Sequence, residues 1–509
     1  MYHSPIVMAS AAPVAGPLLR AGARDGFRAA AVALLAAAVL LRFGQFGNAL
    51  AGLDEQFYLL VGERMWAGEL PYVDLWDRKP LGLFILFAGI ARLPIDGVVA
   101  AQLVATAFAA ATAILVTLIA RRRVGWTPAV LSGVFYLAGV NQLWGETTQT
   151  PVFYNALVAG SALLTLQAAD RDDRRLACWA MALCGVAIQI KTNAVFQGGF
   201  FGLWLLVAAW RPGESRGSIG MTAALFAVLG ALPTLLAFAA YAAMGHADAW
   251  WQANVLSIIA KGAPHEAIAF RSFWESAILF APAGLLALLG LRARTERFTR
   301  VDRETGFLIG WGAVGLVDFL AIGGFYPHYA IPLLLAVCPL IASAFAHPRA
   351  GIACAVLSLA WPAYHAAVIN PSIAAKEMGY AGEVLARVPG DVRTRCLFIY
   401  EGPVAYYRLT QACRVSRYAF TAHLSSFREA PSLGVDPAAE IARIMARRPG
   451  VVMTVEHSAW PDRNPAMERL MARELKAHYR PAARVPHHSY APGERLLIWR
   501  VRPGSQRKL

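Results

Sequence analysis

The sequence predicts a polytopic α-helical membrane protein of about 11 to 13 spans with a small extracytoplasmic α/β domain at its C-terminus. Three observations carry that prediction. Of 509 residues, 57% are hydrophobic and only 16% charged, whereas a soluble domain carries roughly 25% charged residues. Apolar runs of about 17–25 residues, long enough to span the hydrocarbon, recur through the first 370 positions. From Asn370 onward, Pro and charged residues become frequent and short β-like runs appear. The net charge of +15 sits largely in short loops between apolar runs, as the positive-inside rule expects, so it reads as membrane topology and implies no nucleic-acid partner.

The elements follow in order. Residues 1–26 read as a cytoplasmic tail, basic at Arg20 and Arg24, and Phe27–Phe43 as an uncleaved first span without a small-residue cleavage site. The membrane part covers 27–369 and includes a loop at 45–79. Apolar segments follow near Pro80–Leu93, Val98–Ala120, Thr127–Trp144, Val152–Ala169, Leu176–Ile190, Ala194–Trp210 and Ile219–Ala243. Four more lie near Ser276–Leu291, Thr305–Gly323, Tyr329–Ala346 and Gly351–Ile369. The basic loops Arg121–Arg123, Arg171–Arg175, Arg211–Arg216 and Arg292–Arg303 belong inside, which puts 145–151, 191–194, 244–275 and 324–328 outside. One step does not balance: two apolar segments separate the loop at 45–79 from Arg121–Arg123, where an odd number of crossings is needed. Either Pro80–Leu93 is re-entrant or Arg121–Arg123 lies outside. In 370–509, strand-like runs at Cys396–Tyr400, Val451–Val455 and Leu496–Val501 alternate with helical patterns at Ala438–Ala446 and Ala466–His478, an α/β arrangement. Cys396 and Cys413 can pair if that part is exported, although two free thiols explain the sequence equally well.

The loop after the first span holds the densest chemistry. Between Asp54 and Leu81 lie the acids Asp54, Glu55, Glu63, Glu69, Asp74 and Asp77 against the bases Arg64, Arg78 and Lys79, opposite in sign to the chain as a whole. Asp54-Glu55 can supply a general base, hold a metal, or simply favour a first helical turn through the helix dipole. Phe57, Tyr58, Val61, Met65 and Trp66 then have the spacing of an amphipathic helix on a membrane surface. Arg78-Lys79 is either a snorkelling anchor or a phosphate grip, one a forked donor and the other a point charge. Pro80 suits the first position of a helix.

Asp54-Glu55, Tyr58, Gly68-Glu69-Leu70-Pro71-Tyr72, Asp74, Asp77 and Arg78-Lys79-Pro80 together resemble the first external loop of the GT-C fold glycosyltransferases that use lipid-linked sugars. The branch is that of bacterial protein-mannosyltransferase-like enzymes, akin to the aminoarabinose transferase of lipid A. The resemblance is tight over the loop and loose over the membrane part. It implies a hexosyl- or pentosyltransferase of the bacterial inner membrane that moves a sugar from a polyprenyl-phosphate carrier to an extracytoplasmic protein, lipid or glycan acceptor. Asp54 would be the catalytic carboxylate with Glu55 beside it, and Lys79 with Arg78 would hold the carrier phosphate. The doubled proline of the family is reduced here to Lys79-Pro80-Leu81, and Glu146 is the only acid in the turn where the family often has a second one.

Other candidates are weaker. Gly323-Gly324-Phe325-Tyr326-Pro327-His328-Tyr329 resembles a His-Tyr-Pro element of the family, which would bring His328 and Tyr329 to the phosphate or sugar; an interfacial aromatic belt explains it as well. Trp250, Trp251, Lys261, His265, Arg271 and Trp274 read first as interfacial anchors and second as sugar and phosphate contacts. Lys191 lies in a short external turn, an unusual place for a base. No cofactor is required by the sequence, a divalent metal is left open, and His487-His488 lacks partner spacing for a site. The rival class is a transporter or lipid flippase, which would gather polar groups near the membrane midplane. Gln102, Gln189 and Asp318 are the main such residues.

Overall fold

The computed structural model describes residues 17–209, 215–295, 302–456, 462–486 and 494–504. Apolar runs fold into helices α1 (Pro17–Arg42), α4 (Gly97–Arg121), α5 (Trp126–Gln142), α6 (Thr150–Arg171), α7 (Arg174–Ile188), α8 (Ala194–Ala209) and α9 (Arg216–Ala243), with α2 (Leu53–Met65) and α3 (Leu81–Ile90) in the first loop. The next loop carries the short α10 (Ala247–Trp251) and α11 (Ser257–Ala260), followed by α12 (Glu266–Thr295), α13 (Arg303–Ile322), α14 (Leu333–Phe345), α15 (Gly351–Tyr364) and α16 (Asn370–Leu385). Among the described residues seven helices are long and apolar enough to cross a membrane, and shorter apolar ones complete the bundle. Burial divides their roles. Nearly every residue of α14 is buried at the bundle centre, whereas α9 and α15 leave most of their apolar surface outward, where only lipid can cover it.

The helix ends sort onto two faces. On one, Arg122 pairs with Asp170 and Glu304, Arg123 donates to Thr305 at 2.9 Å, and Arg174 donates to Thr222 at 3.3 Å. The basic loops Arg121–Arg123 and Arg171–Arg175 therefore share a face. Arg211–Arg216 and Arg292–Arg303 fall partly outside the described residues, but the helix ends beside them lie on that face too. The opposite face collects the loops at 43–80, 143–149, 189–193, 244–265 and 323–332, together with the C-terminal domain.

This layout settles the unbalanced step. Gly97, the first residue of α4, lies against Glu63 of α2 and Arg408 of the C-terminal domain, so α4 starts on the same face where α3 starts. Helix α3 does not cross; its 10 residues lie along α2. A side chain at Gly62 would place its Cβ 2.5 Å from the Phe87 backbone, so glycine permits that close approach. Trp66 Nε1 locks the pair by donating to the Ala88 carbonyl at 2.8 Å. Among the described residues the ends of α1, α4–α9 and α12–α15 then fall alternately on the two faces.

Arg42, at the end of α1, fixes the loop between α5 and α6. Its buried guanidinium donates to Thr106 at 3.3 Å, to the Gly145 carbonyl at 2.7 Å and to the Thr147 carbonyl. Arg42→Met would leave those carbonyls without donors, each worth about 1–3 kcal/mol when buried. We expect a loss of about 3 kcal/mol, read as earlier thermal unfolding in detergent, and displacement of the loop at 143–149.

The change of composition at Asn370 falls inside a helix. Gly351–Leu385 is continuous, crossing 365–369 as one wide turn, so the C-terminal domain hangs from an extended last span. Its sheet has the order β1-β2-β4-β3, with β1 (Leu397–Ile399) parallel to β2 (Val451–Val455) and β3 (Tyr479–Pro486) and β4 (Arg495–Val501) antiparallel. Helices Pro437–Ala446 and Pro465–His478 are capped by Asp436 and Asn464. Three strands and both helices match the sequence reading; β3, whose sequence YRPAARVP carries two prolines and no apolar alternation, gave no β pattern. Cys396 and Cys413 form a disulfide.

Candidate functional site

Gly52 precedes α2 with φ of +60°, a left-handed conformation that glycine adopts without strain, and the Glu55 carboxylate packs against it. The two acids that follow point to different surroundings. Asp54 makes no helix cap; its carboxylate faces Lys79, with Nζ to Oδ2 at 3.8 Å. Glu55 turns inward, accepts from Thr147 Oγ1 at 2.5 Å and is only 5% exposed.

Their charge states separate accordingly. Burial pushes Asp54 up, but the ammonium of Lys79 and its neighbours more than reverse this, holding the carboxyl below its usual range. Burial raises Glu55 to about 8, helped by Glu146 and Asp54 and opposed by the Thr147 hydroxyl, so it is protonated at neutral pH. Adjacent residues thus give one ionised and one neutral carboxyl. Glu146 lies behind Glu55, buried and likewise raised.

Lys79 enters from the start of α3. Tyr72, held at φ +69°, donates its hydroxyl to the Lys79 carbonyl at 2.9 Å, while Asp77 Oδ1 accepts from the Arg78 and Lys79 amides at 2.5 and 3.2 Å. The Lys79 ammonium lies 4.0 Å from Asp77 and over the Tyr58 ring at 5.3 Å. Burial lowers its pKa, but Asp54 and Asp77 outweigh that and hold it charged.

Arg78 turns the other way, to the C-terminal domain. It pairs with Glu429 and donates to Ser432 at 2.8 Å, while Lys261 Nζ reaches the other Glu429 oxygen at 3.1 Å. Glu429 is held far below the usual carboxylate range by Lys261 and Arg78 despite its burial. The backbones of Gly262 and Arg428 join the same seam at 3.0 Å.

Lys191, His328 and Tyr329 complete the cluster. The Lys191 ammonium lies 5.2 Å from the Tyr329 ring centre, and His328 packs edge-on against that ring at 4.3 Å. Burial lowers Lys191 to about 7, with Lys79 adding repulsion and Asp54 opposing it. His328 is driven to about 3 by burial and by Lys191, so it acts as a neutral imidazole.

Most of the residues expected from the sequence therefore meet: Asp54, Lys79, Lys191, His328 and Tyr329 in one group, with Arg78 at its edge and Glu55 and Glu146 beneath. Arg271 does not join them. It lies on the exposed side of α12, whereas Lys261, in the loop before that helix, turns inward to Glu429. Of the aromatic residues in that loop, Trp250 is buried against Phe238, while Trp251 and Trp274 are exposed as interfacial anchors would be. Glu429, which neutralises two of the cations, had no signal in the sequence, since nothing local marks a buried acid in SSFREAPS. Among the described residues no group of three His, Cys, Asp or Glu side chains could hold a metal ion, and His487-His488 lies outside them.

A helical bundle whose first loop packs the buried helix α2 beneath a small α/β domain is the architecture of a polytopic membrane protein. Among solved structures, the chain is similar to the crystal structure of ArnT from Cupriavidus metallidurans in the apo state, over 94% of this chain and 98% of that one, with a TM-score of 0.58 at 14% identity. At that identity the likeness establishes the fold, a polytopic helical membrane protein. No family model matches the sequence, and no curated protein matches it by sequence.

Proposed function

We propose that the chain is a glycosyltransferase of the bacterial inner membrane that moves a sugar from a polyprenyl-phosphate carrier to an extracytoplasmic acceptor, by a single inverting displacement. The observation that carries this reading is the ionised Asp54 facing Lys79 at 3.8 Å, beside Lys191, in one cluster at the mouth of the bundle. Asp54 takes the proton of an acceptor hydroxyl as its oxygen attacks the anomeric carbon. The bond from that carbon to the carrier phosphate breaks, and its electron pair leaves on the phosphate, where Lys79 and Lys191 stabilise the charge. Neutral His328 and Tyr329 are placed to donate hydrogen bonds rather than charge. The acidic loop and the disulfide Cys396–Cys413 support an extracytoplasmic site, since the basic loops gather on the other face.

The transporter reading loses its markers. Gln102 donates to the Gln45 carbonyl at 2.8 Å and accepts from Gly47, Gln189 donates to Thr234 at 2.7 Å, and Asp318 accepts from Asn193 at 2.6 Å. Each has a hydrogen-bond partner within the fold. The test is transfer of labelled sugar from a polyprenyl-phosphate donor in membranes holding the wild-type chain. Movement of lipid or solute with no sugar transfer would favour the transporter.

Titration of Lys191 supplies a pH prediction. An anion is held by its protonated form, so donor affinity is full below about pH 7 and falls as pH rises through that value toward the higher pKa of the bound state. The expected result is an affinity for polyprenyl phosphate that weakens between pH 6.5 and 8.5, roughly tenfold for each 1.4 kcal/mol lost. Lys191→Arg, charged throughout, should flatten that step.

A further inference from the structure

A second cavity, of about 610 Å³, opens where the first loop meets the C-terminal domain; none of Asp54, Lys79, Lys191 or His328 lines it. Four arginines, Arg414, Arg417, Arg443 and Arg447, face Glu69, Asp74 and Glu440 across it. Two of the acids are already neutralised. Glu69 pairs with Arg414 and Arg64, and Glu440 takes a two-pronged bond from Arg443 at 2.7 and 2.5 Å and another from Ser416 at 2.6 Å. Among the described residues Arg417 and Arg447 form no ion pair with a carboxylate: one donates to the Tyr418 hydroxyl at 2.9 Å, the other to the Val415 carbonyl at 3.3 Å. Asp74, on the opposing loop, accepts from the Leu70 amide at 2.8 Å, its one side-chain hydrogen bond among the described residues.

We infer that this cavity is an anion-binding site for an oxyanion carried on a sugar. Two guanidinium forks bonded only to neutral oxygens match a phosphate or carboxylate group, the geometry for which arginine is suited. Asp74 and Ser416 supply an acceptor and a hydroxyl for the carrier's hydroxyl groups, and Val73, Val415 and Val435 give its ring an apolar wall. The volume falls within the range of about 300–1,000 Å³ that small-molecule pockets occupy. The site stands apart from the transfer cluster but touches the segment that carries it: the Trp76 amide donates to the Arg417 carbonyl at 3.0 Å, two residues before Arg78. Its assignment does not depend on the transferase reading.

The test measures binding of glucose 6-phosphate, inorganic phosphate and glucose to the full-length protein in detergent. Glucose 6-phosphate is expected to bind at least about tenfold more tightly than either of the others. Arg447→Ala and Arg417→Lys should each weaken it by about tenfold, the second because it keeps charge and loses the fork. Lys79→Ala should leave it unchanged. Equal binding of inorganic phosphate would overturn the sugar-borne ligand. Full binding in both arginine variants, or loss in Lys79→Ala alone, would overturn the site.

Discussion

Asp54→Asn is expected to lower sugar transfer by about 10²–10⁴-fold while leaving the protein folded. The substitution keeps the size of the side chain and removes its charge and basicity. Asp54 is about a third exposed, so no large packing term attends the change. The measurement is the initial transfer rate at saturating donor, alongside thermal unfolding of the same preparation. Its contrast is Glu55→Gln. Glu55 is neutral up to about pH 8, and glutamine imitates a neutral carboxyl, so at pH 7 that variant should retain transfer within about tenfold of wild type. Because Asp54 is held below the usual carboxylate range, the wild-type rate should persist as pH falls and be lost only below the ordinary titration of an aspartate. Undiminished transfer in folded Asp54→Asn protein would remove Asp54 as the base.

The contrast between these neighbours marks what the sequence can and cannot carry. Asp54 and Glu55 are adjacent acids in one helical turn, and no local pattern distinguishes them. What separates them is the α5–α6 loop, whose Thr147, 92 residues away, draws Glu55 inward under the hold of Arg42. Features set by local periodicity were legible: the apolar runs, a helix after Gly52, the strands at β1, β2 and β4. Residues 55–62 of that helix are all buried, however, so it is no amphipathic helix on a membrane surface as the spacing of Phe57, Tyr58, Val61, Met65 and Trp66 suggested. The grouping of the loops onto two faces was legible too, because the basic loops gather on one of them. The course of α3 was not legible. Its composition suits a span, but its length and the close contact through Gly62 lay it along α2 instead. Arg78-Lys79 read as one grip, yet successive side chains diverge, and Glu429 of a distant domain takes Arg78. A buried partner from another domain leaves no trace beside the residue it neutralises.

Lys79→Ala is expected to cost about 10²–10³-fold in transfer, the usual loss when one preorganised stabiliser of a developing oxyanion is removed. Rate alone would not separate this from a structural role, since Lys79 also balances Asp54 and Asp77. The pH profile does. Lys79 is the leading influence that opposes burial at Asp54, so without it the Asp54 carboxyl should titrate at higher pH. The acid limb of the residual activity should therefore move upward, because the base is ionised over a narrower range. Lys79→Arg keeps the charge, should hold the acid limb near its wild-type position and should recover part of the rate. Donor binding separates the two roles further: loss of the phosphate contact weakens affinity for polyprenyl phosphate in Lys79→Ala, whereas Asp54→Asn should bind that anion as well as wild type or better, having lost a nearby negative charge. A Lys79→Ala protein with unchanged affinity and an unmoved acid limb would show that the lysine serves neither the phosphate nor the base.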